Sequence, residues 1–142
     1  MPNLILLWTR HFKDLNHDDQ DYILMPTVWQ AIGEATYNAD KTIPAAFGSR
    51  VLNITSEKAQ MIAETYSIWT LYIALTLLKG QFQHQRYYKH FIQLVKLLMV
   101  CLEFEISQVD VDNFETGFQS WVVDYEQWEF HFFYVSHDLI SY

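Results

Sequence analysis

The sequence predicts an all-α protein, a helical bundle of about four helices with an irregular N-terminal segment. Three observations carry that prediction. From residue 55 onward apolar side chains recur at steps of three and four, the spacing of one helix face. Helix-start and helix-stop residues bracket those runs. Only 4 Gly and 3 Pro punctuate 142 residues, and 51% are hydrophobic with 17% aromatic, a composition that argues against disorder and is enough for a real core. The length suits one domain spanning 1–142. Within it, residues 1–54 are loosely specified with one short helix, and 55–134 hold three long helices.

Asn3 to Trp8 is a compact apolar run that fits either a buried strand or the first turns of a helix, because periodicity does not decide at this length. Asn16-His17-Asp18-Asp19-Gln20-Asp21 reads as a solvated turn. It clusters carboxylates with an imidazole but lacks the glycine and distal glutamate of a calcium loop. Pro26 suits the first turn of a helix that runs to about Tyr37, with Trp29 and Ile32 on its apolar side and Asn38-Ala39-Asp40 ending it. Ile43 to Ile54 is then a turned connector containing Pro44 and Gly48.

Thr55 is the expected N-cap of a central helix, with Glu57 near its positive end and Gly80 as its stop. Ile68 to Leu78 is apolar nearly all round, which predicts burial on several sides. The next helix is expected over His84 to Glu103, antiparallel to the central one across the short Gly80–Gln83 connection. Cys101 falls among its apolar residues and is expected to be buried. Ser107 with Asp110 forms a capping-box pattern that opens the third long helix. Along that helix Val111, Phe114, Phe118, Trp121, Tyr125, Trp128 and Phe132 recur as a largely aromatic heptad seam, read as a helix-packing surface.

The net charge is −8, so the chain as a whole should not condense on phosphate backbones. All nine Lys and Arg lie at or before Lys96, whereas nine of the 17 Asp and Glu lie after it. Lys79, Arg86, Lys89 and Lys96 form a basic block with no acid between them. The expected role is pairing with the acidic C-terminal helix, inside the fold or across a dimer. The competing reading, a nucleic-acid patch, is opposed by the adjoining acidic surface. One cysteine excludes an intrachain disulfide and a thiolate zinc cluster, and suits a reducing, intracellular compartment. No signal peptide is read at the N-terminus. The most apolar run, Tyr66 to Leu78, is too short to cross a bilayer, so no membrane partner is expected.

Constellations for chemistry are few. His84 with His90 and His131 with His137 are each six apart, which does not place either pair on one helix face as metal ligands. No glycine-rich phosphate loop, nucleophile elbow or CxxC pair occurs. No metal site and no cofactor are expected, and an enzyme complete within these residues is not expected either.

A family resemblance adds to this reading. Trp29-Gln-Ala-Ile32-Gly33-Glu-Ala-Thr36, Ile43-Pro44-Ala45-Ala46-Phe47-Gly48-Ser49-Arg50, Asn53-Ile54, Ala63-Glu64 and Ser67-Ile68-Trp69-Thr70 are similar to a run shared by large fungal transposases of the CACTA-like and Kyakuja-Dileera-Zisupton type. The similarity continues through Tyr87-Tyr88-Lys-His90-Phe91, Cys101-Leu102-Glu103-Phe104-Glu105-Ile106 and Gly117-Phe118 to Trp121-Val122 and Asp124-Tyr125-Glu126. It covers about Asn3 to Glu126 and rests on the order and spacing of these pieces. Departures occur at Leu52 and Leu75, where the family tends to have proline.

The resemblance implies a helical segment on the C-terminal side of an RNase H-like core. Family activity would be metal-dependent DNA transposition, with a divalent metal such as magnesium held in a catalytic core that these residues lack. Glu64 is the one catalytic candidate it nominates. A single carboxylate does not hold such metals, so an early-helix glutamate or a partner for Arg50 is the preferred role. The functional expectation is a transposon-derived fragment, inactive alone and nuclear if the family role holds. The alternative is a helical interaction or dimerisation module, associating with itself or another helical protein through Phe114, Phe118, Trp121, Tyr125 and Trp128.

Overall fold

A computed structural model describes the backbone of residues 1–11, 20–42 and 51–137, with side chains at 40 and 128–137 left aside. The connector over 43–50 and most of the polar loop before Asp21 lie outside the described residues. The protein is mainly helical, and the described residues contain no strand. The chain forms two compact units, Met1–Tyr88 and Lys89–Tyr142.

In the first unit, Asn3 to Trp8 resolves as helix α1, Pro2–Trp8. Proline sits at its start, where no N–H is required, and Leu4, Ile5, Leu7 and Trp8 are buried. The helix ends in a paired closure. Arg10 takes φ 62°, and the His11 and Arg10 amides donate to Leu6 and Leu7 at 2.8 and 3.4 Å. Glycine usually fills that left-handed position. The Trp8 carbonyl accepts from the Leu24 amide at 2.9 Å, anchoring the segment before α2.

Helix α2 runs Pro26–Asp40, three residues beyond the expected end, because the Lys41 and Thr42 amides close tight turns onto Asn38 and Ala39. Thr36 is fully buried. Its hydroxyl donates to Ile32 O at 2.8 Å and accepts from Trp69 Nε1–H at 3.0 Å. Trp29 meets the Trp69 ring edge to face at 6.4 Å. One buried side chain thus joins α2 to the central helix by a hydrogen bond and by ring packing, each worth about 1 kcal/mol.

The central helix departs from expectation at its start. Thr55 does not cap it. Asn53 Oδ1 accepts from the Thr55 amide, the Thr55 hydroxyl and the Ser56 amide at 2.9, 2.6 and 3.3 Å, while Glu57 Oε2 accepts from the Asn53 amide at 2.9 Å. This side-chain network closes a turn in place of a long helix. It leads only to a 3-10 segment, Lys58–Gln60, which stops at the extended Met61. Helix α3 follows as Ala63–Ile68, then a π-helical segment Trp69–Ile73, then α4, Ala74–Leu77. Trp69, Thr70, Leu71, Ile73, Ala74 and Leu78 are buried as expected for an apolar run, but Tyr72 is 62% exposed. Gly80 takes φ 74° in the turn beyond α4, a conformation glycine adopts freely. Phe82 then packs on Trp8 at 5.2 Å, and the Tyr88 hydroxyl donates to Leu75 O at 2.6 Å.

Helix α5, Gln85–Val100, begins in the first unit and continues into the second. It ends three residues before the expected Glu103, where the Leu102 and Glu103 amides fold back onto Met99 and Val100. Cys101 therefore lies past the helix and is exposed, correcting the expectation of burial. Helix α6, Gln108–His137, opens on the anticipated capping box. Asp110 Oδ2 accepts from the Ser107 amide and hydroxyl at 3.0 and 2.6 Å, and Ser107 Oγ accepts from the Asp110 amide at 3.2 Å. No helix among the described residues is long and apolar enough to cross a membrane.

Candidate functional site

Glu64 stands in the first turn of α3, exposed, where a negative side chain favours the helix dipole. Among the described residues no group of three His, Cys, Asp or Glu side chains is placed to hold a metal ion. Arg50, its suggested partner, lies outside the described residues.

The basic block is exposed at all four positions, Lys79, Arg86, Lys89 and Lys96. Arg86 is engaged within the first unit. Its guanidinium donates to the Tyr87 hydroxyl at 2.5 Å, lies 4.7 Å from that ring's centre, and stands 3.8 Å from Asp21 Oδ2. The same carboxylate oxygen is 3.1 Å from His84 Nε2. Lys79, Lys89 and Lys96 form no ion pair among the described residues, so within the second unit the expected pairing of Lys89 and Lys96 with α6 is not made among them.

The aromatic seam exists as a stack along one face of α6. Phe114–Phe118, Phe118–Trp121 and Trp121–Tyr125 have ring centres 5.9, 6.1 and 5.6 Å apart and planes within 11–14° of parallel. Phe114, Trp121 and Tyr125 are half-buried, and Phe118 is exposed. Trp128 belongs to α6, but its side chain is outside the described residues.

Trp121 is already occupied from within the chain. The His90 ring on α5 stacks on it at 4.4 Å with planes 11° apart. Trp121 Nε1–H donates to His90 O at 3.0 Å, and His90 Nε2 lies 2.9 Å from Trp121 O. That second contact joins a ring nitrogen to a carbonyl, so the nitrogen carries the proton. Two residues thus exchange side-chain and backbone hydrogen bonds across a ring stack. Burial pushes the His90 pKa down, against the opposing pull of the Trp121 carbonyl and the Asp124 charge. Burial thus favours the neutral ring, while the hydrogen bond of the clasp favours the charged one.

Beside the clasp lies a groove of about 420 Å³, lined by Leu97 and Val100 of α5 and by Phe114, Gly117 and Trp121 of α6. Gly117 sets its depth, since a Cβ there would stand 3.0 Å from Leu97 Cδ2. Lys96 and Asp110 also line it. Sequence spacing missed His90, whose partner is thirty-one positions away, although glycine inside the α6 pattern signals a close approach of backbone. No protein family, curated protein or solved structure matches this chain.

Proposed function

We propose that this chain is a helical segment related to the CACTA-like and Kyakuja-Dileera-Zisupton transposases, acting as a packing element without a strand-cleaving centre of its own. What supports this reading is the place in the fold of the residues that carry the resemblance. Trp29 and Thr36 meet Trp69 where α2 packs on the central helix, Ile32 and Thr70 are buried, and His90 and Trp121 form the α5–α6 clasp. These members of the run serve packing, whereas its Cys101–Ile106 stretch is exposed. A nucleus-located role follows from the same reading.

The test is strand nicking of supercoiled DNA by the purified protein with magnesium or manganese. The expected outcome is no nicking above the protein-free control, with Glu64→Gln indistinguishable from the parent. Metal-dependent nicking that Glu64→Gln abolishes would overturn the proposal. The reading also expects a catalytic-core coding region in frame upstream at the genomic locus. An intact upstream promoter in its place counts against it.

A second reading, a helical interaction module, is favoured by one observation. Apolar side chains crowd the exposed surface where α5 passes into α6. Since Trp121 is clasped by His90, the aromatic seam is not the surface that this reading uses.

A further inference from the structure

We infer that the α5–α6 connection is where two copies of this chain associate, each setting Lys89 and Lys96 against Glu103 and Glu105 of the other. The inference rests on the interaction-module reading and is independent of the transposase resemblance.

Exposed apolar side chains gather on the segment Leu102-Glu103-Phe104-Glu105-Ile106 and its neighbours. Phe104 is fully exposed, Leu102 is 62% and Val109 66% exposed, and Met99 and Ile106 also face solvent. Isolated apolar residues on a surface are ordinary, but a contiguous set of them marks a contact surface. Here five fall within eleven consecutive residues, alternating with exposed carboxylates.

The charges select the occupant. Every acid of this stretch is exposed, and no Lys or Arg lies beyond Lys96 to balance them. On α5, Lys89 and Lys96 are seven residues apart, hence two turns along one face, and both are exposed without an ion pair among the described residues. A basic foreign partner would answer the acids and leave the lysines unanswered. A second copy answers both, because a two-fold axis makes every lysine-to-carboxylate contact occur twice. Face-to-face pairing without this exchange sets like charges together, which is strongly unfavourable. The apolar side chains then supply the buried centre and the exchanged charges the rim.

Sedimentation across a micromolar concentration series tests this with the whole chain. The expected result is a monomer–dimer equilibrium that weakens as salt is raised. Phe104→Ala should weaken it by about tenfold or more with an unchanged helical circular dichroism signal. The doubly reversed chains, Lys89→Glu with Lys96→Glu and Glu103→Lys with Glu105→Lys, should each be monomeric, and an equimolar mixture of them should regain association. That regain is the decisive sign, because a reversal that merely unfolds the chain has no complement. A parent chain that stays monomeric throughout overturns the inference. A dimer indifferent to the reversals, or a mixture that fails to associate, overturns the charge exchange and leaves the interaction-module reading standing.

Discussion

At the scale of single residues, Gly33 and His90 carry the most exposed predictions. Gly33 lies inside α2, where replacing glycine by alanine ordinarily stabilises a helix by about 1 kcal/mol. Here a Cβ would collide with the Thr55 hydroxyl and stand 2.5 Å from Asn53 Oδ1 and from Thr55 Cγ2. Those atoms are fixed by the Asn53 turn and have little room to yield. Gly33→Ala should therefore destabilise by roughly 1–3 kcal/mol, the cost of overpacking, as read from the urea midpoint. His90 has a folded-state pKa below its ordinary 6.5. Between those two values the unfolded chain binds more protons, so stability falls as pH drops. The contribution is intact above about pH 6.5 and is lost progressively below it. Thermal melts at neutral and mildly acid pH should show the parent losing more than His90→Gln, whose amide does not titrate.

At the scale of elements, the α6 start was legible and the central-helix start was not. Ser107 and Asp110 are three apart and act on adjacent backbone, so spacing alone specifies the cap. Ser107→Ala should fray the first turn, read as faster amide exchange at 108–111 with the rest of α6 unaffected. Asp110 is held below its ordinary carboxylate pKa by the Ser107 hydroxyl and then by its amide. This cap contribution is present above pH 3.8 and is lost as pH falls through that value toward the folded one. At Thr55 the same reasoning failed because Asn53, two residues earlier, competes for the same donors and closes a shorter turn. The long apolar and amphipathic runs were legible because their periodicity repeats over several turns. The α5–α6 clasp was not, because His90 and Trp121 are neighbours only after both helices have packed.

At the scale of the whole molecule, charge and length are the properties that set behaviour. Cations end at Lys96 and nine carboxylates follow it, so a nearly balanced first part, with nine cations against eight acids, is joined to a purely acidic second part within one sequence. The described contacts of Asp21, with the Arg86 guanidinium and the His84 ring, leave that asymmetry in place. The π-helical segment Trp69–Ile73 bears on length in a separate way. A π turn holds one residue more than the α path it interrupts, so α3 and α4 keep their faces aligned while an insertion is absorbed between them. Tyr72, which turns outward there, is the natural residue to remove. Deleting it should let the central helix run as unbroken α-helix, with cooperative unfolding kept and a melting temperature within about 2–4 °C of the parent, the shift of roughly 1 kcal/mol in a chain of this size. Deleting Gln93 from α5 instead rotates everything after it by about 100° and should abolish the cooperative transition. On this prediction the gene can lose one codon, that of an outward-facing residue in the central helix, and still encode the same fold.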